Sequence, residues 1–128
     1  MRLEVQVGPG ELIDKITILE IKAAHLAAAE KLANVHAELT ALVTARDAAI
    51  GASPELATLT TALKDVNATL WRIEDEIRDC ERSGDFGARF IALARSVYRT
   101  NDERAALKRR INDLLDADIV EEKSYSSY

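Results

Sequence analysis

From Glu11 to Ala49 the chain carries neither glycine nor proline, and alanine supplies much of its helix propensity. Within that run Leu12, Ile16, Leu19, Ala23 and Leu26 recur at threes and fours, skip phase near Glu30, and resume as Leu32, Val35, Leu39, Leu42 and Ala49. Such spacing lines one face of a helix, and the skip marks a change either in supercoil or in the neighbour that the helix faces. Gly8-Pro9-Gly10 punctuates the start of the run and Gly51-Ala52-Ser53-Pro54 its end. A first helix is expected over residues 10–50, roughly 60 Å long at 1.5 Å per residue.

Ser53 suits a helix cap and Pro54 a first helical position. Helix 2, over residues 54–83, then carries the most regular seam in the chain: Leu56, Leu59, Leu63, Val66, Leu70, Ile73, Ile77 and Cys80. Gly84 ends it and Asp85 is read as the cap of helix 3, over residues 85–116. The helix 3 seam runs Phe86, Phe90, Leu93, Val97, Thr100, Arg104, Leu107, Ile111 and Leu114, with two polar members. Ahead of the helices, Leu3, Val5 and Val7 alternate with Glu4 and Gln6 as in a short half-buried strand. Residues 117–128 read as a flexible tail. The predicted fold is one all-α domain over residues 1–128. It is an antiparallel three-helix bundle with coiled-coil character, a long first helix and a short extended N-terminal segment.

The formal net charge of −5 argues against a nucleic-acid binder, which needs a basic face to neutralise phosphates. Cys80 is the one cysteine, so no internal disulfide and no oxidising compartment is implied. No segment approaches the ~20 apolar residues of a membrane span, because Asp14, Lys15, Glu20 and Lys22 interrupt the greasiest stretch. A cytoplasmic protein is expected. His25 and His36 lie on one helical face but about 16 Å apart, too far to share an ion. No metal and no cofactor are expected.

Helix lengths set the main functional expectation. Helices 2 and 3, near 45 Å each, fall about 15 Å short of helix 1. An up-down-up arrangement therefore leaves residues 12–21 projecting past the bundle. Leu12, Ile13, Ile16 and Leu19 would be bare there, more apolar surface than a monomer usually leaves exposed. Self-association through this segment is expected, as a homodimer, or its cover by an unidentified protein partner or by the strand of residues 2–7 folded back over it.

Three further constellations stand out. Trp71, Glu74, Asp75 and Arg78 share one face of helix 2. With Arg95 they are candidates for a partner surface or a small-molecule cleft; as ordinary surface, Glu74 would simply pair with Arg78 while Trp71 shields the seam. Arg104 in an apolar seam needs a carboxylate, and counting from the turn puts Asp65 or Glu38 level with it as a register-setting pair. The alternative is an Arg104 whose guanidinium reaches the bundle edge. The Ser-rich end with Tyr125 and Tyr128 reads as a mobile tail or a peptide ligand for a partner. No nucleophile–base pair, isolated carboxylate pair or phosphate loop is present, so no catalytic residues are assigned.

The segments Gly10-Glu11-Leu12-Ile13-Asp14-Lys15-Ile16-Thr17-Ile18-Leu19-Glu20-Ile21-Lys22, Leu70-Trp71-Arg72-Ile73-Glu74-Asp75-Glu76-Ile77-Arg78, Phe90-Ile91-Ala92-Leu93-Ala94-Arg95-Ser96-Val97-Tyr98 and Glu121-Glu122-Lys123-Ser124-Tyr125 together resemble a family of short uncharacterised bacterial helical proteins, a domain of unknown function. The resemblance implies a bacterial source and, through neighbouring glycosyltransferase genes, a surface-polysaccharide setting. It brings no activity and no site residues. The Ile-Asp start of helix 1 is also similar to that of small all-helical chorismate mutases. The arginine expected at the start of that helix is missing here, and only Lys15, Lys22, Lys31 and Arg46 follow along it.

Overall fold

The computed structural model describes residues 1–117, 119 and 121–128. Four helices follow in order: α1 (Pro9–His25), α2 (Ala29–Ala49), α3 (Pro54–Ser83) and α4 (Ala88–Leu114). No strand forms among the described residues, and the alternation of Leu3, Val5 and Val7 stays an exposed non-helical segment. Asp118, at the expected helix exit, and Val120 lie outside the described residues.

The main departure from the predicted three-helix bundle is the division of the first helix. Leu26 and Ala28 take extended backbone, at φ −76°, ψ 136° and φ −68°, ψ 122°, and the chain turns back on itself without glycine or proline. The turn falls beside the phase skip near Glu30, where the apolar seam changes neighbours. α1 packs on α2, α3 and α4, whereas α2 touches α1 alone among the helices. Lys15 and Glu38, 3.4 Å apart, mark the antiparallel run of α1 against α2.

α3 and α4 form the long hairpin, and their local chemistry follows the sequence closely. Ser53 accepts a hydrogen bond from Leu56 N at 3.1 Å, Pro54 opens α3, and Gly84 closes it in the left-handed conformation at φ 71°. Asp85, however, is not the cap of the last helix. Its Oδ1 accepts from Gly87 N at 3.0 Å, and Gly87 takes the cap position. Cys80 is fully buried between the two helices.

α1 docks on the open end of this hairpin. Ile13 joins Leu56, Leu59, Leu63 and Ile111 in the core cluster, with Ile50, Leu107 and Leu115 around it. At the far end of α1, His25 stacks on Trp71 with ring centroids 5.2 Å apart. Ile13, Ile16 and Leu19 are 2%, 1% and 1% exposed, and Ile21 is also buried. Burial of four such side chains contributes roughly 6–12 kcal/mol, as much as a small domain's whole net stability. The stretch that would have projected bare from a continuous rod is instead the middle layer of the protein. What projects is the hairpin tip: from Arg72 to Ser83, α3 runs on past α1 for about 18 Å with α4 beside it.

Candidate functional site

α4 presents a polar stripe to α1. Thr100, Arg104, Lys108 and Asn112, spaced by four, lie along one side of the helix; Thr100, Lys108 and Asn112 are buried and Arg104 is half-buried. Arg104, Lys108 and Asn112 are each matched by a group near the start of α1. Asp14, 1% exposed, takes Arg104 in both carboxylate oxygens, from Nε at 2.9 Å and from Nη2 at 2.5 Å. Asn67 of α3 donates to Asp14 Oδ1 and to Thr17 Oγ1, both at 2.9 Å, and the Thr17 hydroxyl donates to the Asp14 carbonyl at 2.8 Å. A fork-to-fork pair of this kind is the strong geometry for a desolvated carboxylate. Among the described residues no buried side-chain nitrogen or oxygen lacks a partner.

One turn on, Lys108 Nζ lies 2.8 Å from Glu11 and 2.6 Å from Glu121. Beyond it, Asn112 Oδ1 accepts from Gly10 N at 2.8 Å and so caps α1 from another helix, a task that Gly8 at the cap position has no side chain to perform. The approach is close: a Cβ at Gly10 would stand 2.5 Å from the Lys108 carbonyl oxygen. Glycine is required there for space.

The C-terminal segment then returns over α4. Glu121 meets Lys108, Glu122 meets Arg109 at 3.2 Å, and Lys123 pairs with Asp102, whose other oxygen accepts from the Tyr128 hydroxyl at 2.6 Å. Tyr98 and Tyr128 meet edge to face at 5.1 Å. The order acidic, acidic, basic along the segment answers basic, basic, acidic on the helix, so the pairing fixes one register. The expected free tail is a strap. Between it and α4 lies a cleft of about 850 Å³, with Tyr98, Asn101, Arg104 and Lys108 on the helix side and Tyr125 and Tyr128 on the strap side.

Titration behaviour concentrates here. Burial pushes the Asp14 carboxyl up, but the bonds from Arg104 and Asn67 and the charges of Arg104 and Lys108 outweigh it and hold the group below the ordinary carboxylate range. Asp102 is held low by the bonds from Lys123 and Tyr128. The Asp14 bond raises Arg104, and the Asp102 bond raises the Tyr128 phenol. Desolvation would lower Lys108, yet Glu11 and Glu121 raise it. The ionised forms of Asp14, Asp102, Arg104 and Lys108 are thus favoured, and the Tyr128 phenol is held neutral.

The residues singled out from the sequence are placed otherwise. Arg104 does carry a register-setting pair, but with Asp14: neither Asp65, which is exposed, nor Glu38, which pairs with Lys15, reaches it. Counting along a continuous first helix puts Glu38 beside Arg104, whereas the turn at residues 26–28 brings α1 itself against α4; Asp65 is exposed on α3, away from the guanidinium. Glu74 pairs with Arg78 at 3.5 Å, Trp71 packs on His25, and Asp75 and Arg95 are exposed. None of these five lines the clefts around α4 and the strap. Leu12 is half-buried and Ile13, Ile16 and Leu19 are buried within their own chain. Among the described residues no group of acidic, histidine or cysteine side chains is arranged to hold a metal ion, and no helix is long and apolar enough to cross a membrane. Nothing in the sequence singles out Asp14, Asn67, Asn112 or Glu121 as members of a site; the four-residue spacing of Arg104, Lys108 and Asn112 is the signal that could find part of it.

Fold and site together define a class: an all-helical protein whose first helix is keyed to a long hairpin by buried charge, with a strapped polar cleft alongside. The chain belongs to a family of unknown function, DUF6165, which matches residues 1–128. No curated protein and no solved structure matches it.

Proposed function

We propose that the chain is a non-catalytic helical binding module whose recognition site is the cleft between α4 and the C-terminal strap. The observation that carries this reading is the convergence, on one cleft of about 850 Å³, of tyrosine rings with hydrogen-bonding side chains that are already fixed by the fold. Buried ion pairs are poor sources of stability compared with apolar packing. A network such as Asp14–Arg104–Asn67 beside a cleft is better accounted for by the geometry it holds. Asp14 and, on the strap side, Asp102 are held ionised with lowered basicity, so neither donates a proton at neutral pH and both are weak general bases, which favours binding over acid–base chemistry.

Charge balance narrows the ligand. Arg104, Lys108 and Lys123 each already face a carboxylate, so the cleft has no spare charge to offer. It suits a neutral, hydroxyl-bearing ring that lays one face on Tyr98 or Tyr125 and shares its hydroxyls with Asn101 and Arg104. A saccharide has that chemistry and agrees with the surface-polysaccharide setting implied by the resemblance. Calorimetric titration of the full chain with a panel of neutral mono- and disaccharides is the test. Saturable binding lost in Tyr98→Ala supports the reading, and a panel that neither binds nor raises the melting temperature overturns it.

A second reading, self-association as a protein-interaction module, is favoured by the extent of surface. The chain exposes 8796 Å², against roughly 6,700 Å² for a compact monomer of its mass. The excess is larger than the ~800 Å² that each partner contributes to a standard interface. Leu12, Ile13, Ile16 and Leu19 are too covered to supply such a contact, so a dimer would form through other surfaces.

A further inference from the structure

Leu3 and Val5 are 82% and 77% exposed and Val7 is half bare, the densest run of uncovered aliphatic side chains in the chain. They alternate with Arg2, Glu4 and Gln6, so one side of the segment is apolar and the other polar. Among the described residues there is no strand for it to join and no backbone hydrogen-bond partner for residues 2–7. A segment with this period is stabilised only by an edge that takes up its backbone groups.

We propose that residues 1–5 pair antiparallel with the same segment of a second copy, so that a two-fold ribbon joins two chains; this rests on the self-association reading above. Side chains directly opposite one another in such a pair point to the same face. The apolar faces therefore coincide only when the paired residue numbers add to an even sum. Of the three central registers that qualify, one centres on Glu4 and sets that carboxylate against its own copy. Another centres on Val5 and leaves Arg2 facing Gly8. The third centres on Leu3 and sets Arg2 of each chain opposite Glu4 of the other, twice by symmetry. Like charges directly opposite destabilise a ribbon and unlike charges stabilise it, so the register centred on Leu3 is selected. The contact is isologous and closes on itself, as a two-fold dimer requires.

The experiment is sedimentation velocity of the full chain from micromolar to millimolar concentration, with Arg2→Glu, Glu4→Arg and the Arg2→Glu/Glu4→Arg exchange. Both sites are exposed, and circular dichroism checks that each variant keeps its helices. The expected result is a wild-type dimer, about tenfold weaker association in either single variant because two attractive pairs become repulsive, and recovery in the exchange. A dimer that tolerates both single variants, or that fails to recover in the exchange, overturns the ribbon and leaves self-association standing on another surface. A wild-type chain that stays monomeric throughout overturns both.

Discussion

Asp14 is the residue on which most of the site depends. It is 1% exposed, carries a charge, and joins three helices through Arg104 and Asn67. Asp14→Asn removes the charge that Arg104 was placed to meet while keeping the volume. We expect a loss of about 2–4 kcal/mol in urea unfolding, at the lower end of broken buried pairs because Arg104 still reaches water. The same residue sets an acid limit. Its carboxyl is held below the ordinary value near 4, so the folded state binds the proton less readily than the unfolded chain. The associated stability is complete above the unfolded value and is lost as pH falls through the lowered one. Stability should fall below about pH 4, and Asp14→Asn should flatten that part of the profile. An unchanged acid slope in the variant would place the acid sensitivity elsewhere.

At the level of elements, α1 is the interior helix and α2 its outer cover. Charged substitutions at Ile16 or Leu19, which would separate a dimer held by an exposed helix, fall in the packed interior instead. Ile16→Glu and Leu19→Glu should each unfold the chain, seen as loss of the cooperative thermal transition rather than as a smaller sedimenting species. The start of α1 offers a subtler check. Gly10→Ala gains helix propensity of about 1 kcal/mol, but its methyl would stand 2.5 Å from the Lys108 carbonyl oxygen and 2.9 Å from Asn112 Oδ1. Backbone cannot yield as a side-chain end can. The steric cost of about 1–3 kcal/mol is expected to win, and a melting temperature lower than wild type would show it.

For the molecule as a whole, the base where α1 meets the hairpin is densely tied, while the hairpin tip and the strap are not. The strap contacts Lys108, Arg109 and Asp102 through ion pairs in which its own Glu121 and Glu122 are more than half exposed and Lys123 is one-third exposed. Surface pairs contribute about 0–1 kcal/mol each and are screened by salt. Raising ionic strength to about 1 M, where screening acts within ~3 Å, should speed proteolytic cleavage within residues 121–128 while α1 and the facing part of α3 stay resistant. Equal acceleration in both regions would mean that the strap belongs to the cooperative core.

Most of the helical content could be read directly. Ser53-Pro54 and Gly84 act within a residue or two of themselves, so the limits of α3 follow from local chemistry. α4 too was bracketed to within a few residues. The buried identities of Leu63, Ile73, Cys80 and Ile111 follow from the seam spacing. The turn at residues 26–28 and the partner of Arg104 could not be read in the same way. No residue at 26–28 forbids helix; the chain breaks there because folding α1 onto the hairpin buries Ile13, Ile16 and Leu19, which a straight rod would leave in water. The sequence determines which faces must be covered and where local geometry must stop. Which element does the covering, and so which carboxylate meets Arg104 and where a cleft opens, is decided only by the sum of contacts across the folded chain.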